Sequence, residues 1–491
     1  ETGEENLNTF GRLTDENILY CLRLTGKQIT GEAGYELQAD GCLQEGIVRV
    51  SGFVSSRQLV VELERPFGAE DWTADWAEGS FSQAAGYPAC VFFYQDRLGL
   101  AGTATEPQTV WFSKTGEYTH FGHARSTLED ADSISINLSG KKLNAIRSVA
   151  VSGKLLLFTA GSEWTLSTSG ALTPYNIQLE QQSERGASRT APVMVGNKAL
   201  YVQARGSVLR DFYYDYSSAS YTSNDLTLYA KHLFFNREIR EICYQQEPDN
   251  LIWCVLDDGC LATLTYLPEQ NICAWTHHQT QGRFKSICTI PNRGYDELWC
   301  VVERDGTYLI ERLSQRLASK EPQDQLFLDS AVSRKSDTAF SELDGLAHLE
   351  GKTVSLLADG SPVEGIVVQE GKIQLPRPMK CVHAGLPYES VLQTLPAAAE
   401  WADGTALDRR RRVVSVTVKM LDSRGGRVGT EETQMDEIIQ RSRENFNEPI
   451  ALQTGDYVLT LSGTHSLAPS VLFQQTEPLP VTLLAFICRI V

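Results

Sequence analysis

The stretch Tyr87–Phe121, YPACVFFYQDRLGLAGTATEPQTVWFSKTGEYTHF, decides how the chain is read. An apolar run, Ala89–Tyr94, stops at Gln95-Asp96 and is answered by a second, Leu98–Ala101. The polar loop Thr103–Gln108 leads to the aromatic strand Thr109–Ser113, a Lys-Thr-Gly turn and Tyr118–Phe121. Short β-prone runs separated by turn residues form an antiparallel meander. The spacing predicts three or four strands.

Similar units follow downstream. One reads Ile146–Val151, Leu155–Thr159, Glu163–Ser167, and the next Ala191–Val195, Ala199–Gln203, Val208–Tyr214. A further unit reads Ile239–Gln245, Leu251–Leu256, Cys260–Tyr266, Cys273–His277, and the last Phe284–Ile290, Glu297–Glu303, Thr307–Leu313. Trp253 and Trp299 hold equivalent places, at a spacing within the roughly 40–50 residues of a propeller blade. A four-stranded blade cannot bury both faces alone and stacks on its neighbours. Regular hairpins also suit a β-sandwich, but the recurrence of whole units favours a propeller. WD and kelch signatures are absent.

The expected fold class is mainly β: a β-propeller of short antiparallel blades, with small β-barrel or sandwich domains at the C-terminal end. Residues 1–79 read as an incomplete N-terminal β element and 80–314 as the propeller. Residues 315–340 read as a linker, 341–400 as a small β-barrel domain and 401–491 as a C-terminal β domain. Within the last, Gln434–Arg443 is the one helical candidate.

Composition narrows the function. With 42% hydrophobic and 22% charged residues, the 491-residue chain is globular. No apolar run reaches the roughly 18 residues of a membrane helix. The chain starts at Glu1 without Met, which reads as a start removed or processed, and no signal segment is read there. Eleven scattered Cys without a CxxC pair point to reduced thiols and a cytoplasmic origin. A net charge of −18 argues against general nucleic-acid binding. It suits a surface past which DNA slides without sticking.

Phosphate-loop, HExxH and GxSxG motifs are absent. His120 and His123 lie close together without an evident third metal ligand, and His277 and His278 point to opposite faces of a strand. No catalytic residue, metal or cofactor is expected. Two stretches stand out. Arg409, Arg410, Arg411 and Arg412 form the one compact basic cluster in an acidic chain. They read as an interface or DNA-channel contact, or as a solvated strand entry. The loop DFYYDYSSASY carries Phe212, Tyr213, Tyr214, Tyr216 and Tyr221. Aromatics among small polar residues suit a partner surface, and packing between blades is the alternative.

The string GYPACVFFYQDRLGLAGTATEPQTVWFSKTGEYTHFG resembles tail nozzle proteins of short-tailed bacteriophages, also called tail tubular protein B or packaged-DNA stabilisation proteins. IRSVAVSGKLLLFTAGSEWTL, DNLIWCVLDDGCLATLTYLPEQNICAW, GLAHLEGKTVSLLADG and AGLPYESVLQTLP extend the likeness from Tyr87 to the C-terminal part. The resemblance implies a structural virion protein that is not an enzyme and is assembled in the bacterial host cytoplasm. It implies a homo-oligomeric, hexameric ring below portal and adaptor, with double-stranded DNA in its channel. Tail fibre or tailspike proteins would attach, and the ring would retain the genome and support its ejection. The competing expectations are a propeller that binds or hydrolyses glycan and a host scaffold propeller.

Overall fold

The computed structural model describes residues 19–23, 36–41, 44–55, 58–65, 76–78, 81, 85–122, 128–140, 144–315, 319–396, 400–401, 404–405, 409–440, 449 and 451–491. The chain is mainly β, built of many small antiparallel sheets. It falls into two compact units. The first comprises Glu1–His278, Phe284–Thr289 and Gly294–Asp296; the second comprises Gln279–Arg283, Ile290–Arg293 and Glu297–Val491.

The first unit opens with a five-stranded sheet in the order Leu19–Arg23, Gln58–Arg65, Gln44–Ser55, Glu36–Gly41, Trp76–Glu78. Four four-stranded meanders follow, each with its strands in chain order. Sheet I is Cys90–Tyr94, Arg97–Ala101, Thr109–Phe112 and Ile134–Asn137. Sheet II is Ile146–Ser152, Lys154–Thr159, Glu163–Thr168 and Ile177–Ser183. Sheet III is Val193–Val195, Lys198–Val202, Leu209–Asp215 and Ser220–Thr222. Sheet IV is Ile239–Gln245, Leu251–Leu256, Leu261–Leu267 and Ile272–His278.

The apolar runs of the second strands explain why these sheets stack. Side chains alternate between faces along a strand, so a run buried on both faces must have a sheet on each side. In sheet II, Leu155 and Leu157 pack with Val110 and Phe112 of sheet I. The intervening Leu156 and Phe158 pack with Ala199, Tyr201 and Phe212 of sheet III. In sheet III the alternate residues Leu200 and Val202 then pack with Ile252 and Cys254 of sheet IV. Each middle sheet is therefore a layer between two others. Gly99 fits the same logic: it lies opposite Phe92 across the ladder, and a Cβ there would come within 2.1 Å of the Phe92 ring.

One expected strand is corrected. Tyr118–Phe121 is not the fourth strand of sheet I; Ile134–Asn137 is. The intervening chain folds on itself instead. Lys114 N–H donates to the His120 carbonyl at 2.8 Å, and His120 N–H donates to the Glu117 carbonyl at 3.0 Å.

Strands Arg283–Asn292, Tyr295–Arg304 and Thr307–Arg312 form a three-stranded sheet. In the second unit, Asp329–Leu343, Ile373–Leu386, Thr353–Ala358 and Ser361–Val367 pair in that order. They enclose a core including Val354, Leu356, Val382 and Ala384. The stretch read as a linker thus holds a long strand from Asp329 onward. Next, Gln453–Thr460, Val413–Ser423 and Thr482–Ile490 form one sheet. Ser390–Gln393, Leu472–Gln475, Arg427–Glu431 and Gln434–Glu437 form another. Val416, Val418, Val428 and Phe473 share a core between them.

The helical candidate Gln434–Arg443 is also corrected. Gln434–Glu437 is a strand paired with Arg427–Glu431, because the intervening residues close a hairpin. Residues 441–443 lie outside the described residues. No helix among the described residues is long and apolar enough to cross a membrane.

Candidate functional sites

The structure separates the four arginines. Arg409 and Arg410 are exposed, Arg412 is half-buried and Arg411 is completely buried. The Arg411 backbone exchanges two 2.8 Å hydrogen bonds with Ser466, and its guanidinium donates to the Leu467 carbonyl at 2.8 Å. Arg412 pairs likewise with Val491 at 2.9 and 3.0 Å. Arg411 is therefore a structural tie within the C-terminal unit, and the most exposed positive charge in this run is that of Arg409 and Arg410.

The aromatic loop divides similarly. Phe212 is buried between sheets II and III, stacked on Tyr221 with centroids 5.0 Å apart and edge-on to Phe158 at 5.8 Å. Tyr213 carries Lys198 Nζ 4.0 Å from its ring centroid. Tyr214 and Tyr216 point outward and meet edge to face at 5.1 Å, with Tyr216 87% exposed. The Asp215 carboxylate accepts bonds from Ser217 N–H, Ser217 Oγ and Ser218 Oγ. These bonds, led by the Ser217 hydroxyl, hold its pKa below the ordinary value and fix the turn that presents Tyr216.

A third feature was not legible in the sequence. Turns of sheets III and IV line a cavity of about 450 Å³ that includes Asn197, Lys198, Tyr244, Gln246, Asn250, Pro268 and Glu269. Behind it the buried Asp211 carboxylate accepts the Asn224 N–H at 2.6 Å and the Tyr266 hydroxyl at 3.1 Å. Lys198 Nζ lies 3.6 Å from the same carboxylate.

His120 is buried against Glu117 at 3.1 Å, and His123 lies outside the described residues. His278 packs by Trp253, with centroids 5.3 Å apart. Among the described residues no group of three or more His, Cys, Asp or Glu is placed to hold a metal. No disulfide joins the nine cysteines whose side chains are described. Burial pushes the Cys90 thiol up to about 11 and raises the Cys254 thiol further.

These features define a mainly-β protein of serially layered sheets whose candidate sites are presented surfaces and one groove. The bacteriophage nozzle protein family matches residues 89–342, just over half of the sequence, and the chain belongs to that family. It is a structural protein of the phage tail. No curated protein matches it. Similar solved structures include a Lactobacillus plantarum protein at 13% identity and TM-score 0.30, covering 62% of this chain and 94% of that one. An auxiliary nutrient binding protein from Bacteroides thetaiotaomicron shows 7% identity and TM-score 0.29, covering 61% and 82%. A Bacteroides fragilis protein named as a candidate 6-phosphogluconolactonase shows 11% identity and TM-score 0.29, covering 64% and 95%.

Proposed function

We propose that the chain is one subunit of a ring-shaped, hexameric tail nozzle. The ring continues the DNA channel below portal and adaptor, retains the packaged genome until ejection and gives fibres or a tailspike their attachment. It has no catalytic role and binds no cofactor, and it assembles in the host cytoplasm. Membership of the nozzle family over residues 89–342 carries this reading. The net charge of −18 supports it, because an acidic wall does not hold DNA electrostatically.

In the same reading, residues 80–314 form a β-propeller, which the serial layering of sheets I to IV supports. Residues 1–79 form a separate N-terminal β element, and two small β domains follow the propeller. The strand pairing favours beginning the first at Asp329 and the second at Ser390. Arg409 and Arg410 face DNA or a neighbouring subunit, and Tyr214, Tyr216 and Tyr221 meet a protein partner.

A ring of identical subunits needs a heterologous interface that closes by rotation. Mass measurement and negative-stain imaging of the purified chain, alone and with its adaptor, test the proposal. Closed rings are expected. Monomer alone at high concentration under both conditions would sink it.

A further inference from the structure

The groove between sheets III and IV is built from three turns. They are the first-to-second-strand turn of each sheet and the third-to-fourth-strand turn of sheet IV. Its volume of about 450 Å³ lies in the range of small-molecule sites. One wall is fixed in place. The Asp296 carboxylate accepts the backbone N–H groups of Gln246 and Glu247 at 2.8 and 3.1 Å, and Gln245 Nε2 donates to the Asp296 carbonyl at 2.6 Å.

Three of the polar side chains lining it, Asn197, Gln246 and Asn250, are neutral amides. Asn250 Oδ1 accepts the Tyr244 hydroxyl at 2.8 Å, which leaves the Nδ2 hydrogens for a ligand. Among the described residues, the exposed Asn197 and Gln246 side-chain amides make no internal hydrogen bond. Each amide is both donor and acceptor, the pairing that neighbouring hydroxyls of a sugar require. Tyr244 and Pro268 add apolar surface for a sugar's C–H face.

Charge selects against anions. Lys198, the one cation in the lining, is engaged with Asp211 and the Tyr213 ring. Glu269 lines the groove, and burial together with Asp296, Glu247 and Glu269 pushes the Tyr244 hydroxyl above its ordinary value, so it stays a donor. A phosphate or carboxylate would meet this acidic border. We propose that the groove binds a neutral saccharide unit. The inference does not depend on ring formation.

The test titrates the full chain with N,N′-diacetylchitobiose, maltose and lactose, and with an uncharged Gly-Ser peptide, read by saturation-transfer NMR. Transfer to at least one saccharide and none to the peptide is expected. The double variant Asn197→Ala, Gln246→Ala should weaken that binding about tenfold or more, since it removes two neutral hydrogen-bonding groups. Both residues are exposed, so the fold should persist, and circular dichroism checks this. Tyr308→Ser, on an exposed strand position elsewhere, should leave binding unchanged. No transfer to any of the three sugars, transfer unaltered by the double variant, or equal binding of the peptide would each overturn the proposal.

Discussion

Arg97 is the residue whose removal should most disturb the meander of sheet I. Its side chain is completely buried, in the second strand directly after the Gln95-Asp96 turn. Its Nη1 donates to the carbonyls of Ser113 and Asp132 at 2.7 and 2.5 Å. Its Nη2 donates to those of Asp130 and Leu172 at 2.8 and 3.2 Å. One guanidinium thus ties the end of the third strand, the loop before the fourth and a loop of sheet II. Burial lowers its pKa, and the Asp132 charge opposes that shift.

Arg97→Met keeps the length and apolar stem but strands three buried carbonyls, those of Ser113, Asp132 and Leu172, and frees the part-buried one of Asp130. Hydrogen bonds to a charged group contribute about 1.5–3 kcal/mol each, and they are not additive. Removing the buried charge returns several kcal/mol of desolvation. A net loss of about 3 kcal/mol is expected, which corresponds to roughly 6–12 °C in Tm for a unit of this size. Arg97→Lys should recover only part of it, because an ammonium cannot reach four carbonyls spread along a planar fork. Thermal melting should be combined with hydrogen exchange, because a chain with two units need not melt in one step. Exchange should quicken first in the loops at Ser113 and Asp130–Asp132. A melting point within a degree of wild type, with unchanged exchange at these loops, would refute the reasoning.

The remaining predictions concern the second unit. Arg411→Ala should cost about 3 kcal/mol of stability by removing a buried, hydrogen-bonded charge, whereas Arg409→Ser with Arg410→Ser, at exposed positions, should cost far less and act chiefly on ring formation or genome retention. Equal melts for the two variants would show that the run is not divided as described. His383 is buried, with Nδ1 accepting from Ser333 Oγ at 2.7 Å and Nε2 donating to the Gln323 carbonyl at 2.9 Å. Burial pulls its pKa below the ordinary 6.5, and Lys335 adds to this, while the Gln323 bond and Asp324 oppose it. The unfolded chain therefore binds more protons, so stability is full above pH 6.5 and falls as pH drops from there through the lower folded value. His383→Gln should reduce that slope; the part that remains comes from His277, whose pKa burial also lowers, and, deeper in acid, from carboxylates such as Asp324 and Glu342, which Lys335 and Lys372 hold low. Identical slopes in chemical denaturation of wild type and variant would exclude the effect.

What the sequence disclosed follows from how each residue is buried. The second strands of sheets II and IV carry long apolar runs because both faces are covered, LLLF within KLLLFT and the whole of LIWCVL. Such runs stand out from their turns, and the repeat was legible from them. The outermost strands were harder. Ile177–Ser183, IQLEQQS, is covered only in part and carries polar residues, so its pattern resembles a loop. In sheet I the fourth strand is postponed by the folded excursion after Ser113, and the aromatic Tyr118–Phe121 took its place in the reading.

The candidate sites show where local reading stops. Four consecutive arginines are identical in sequence, yet only Arg411 is sealed, because its partners Ser466 and Leu467 arrive from far along the chain. The same holds for the groove. Asn197, Gln246 and Glu269 each sit in an ordinary polar turn, and nothing local distinguishes them from solvated loop residues. Layering of sheets III and IV brings them together. The buried contacts that create the layers also determine which turns become neighbours. Substitutions in the sheet III–IV core, such as Ile252→Ala, should therefore disturb the groove without touching any residue that lines it.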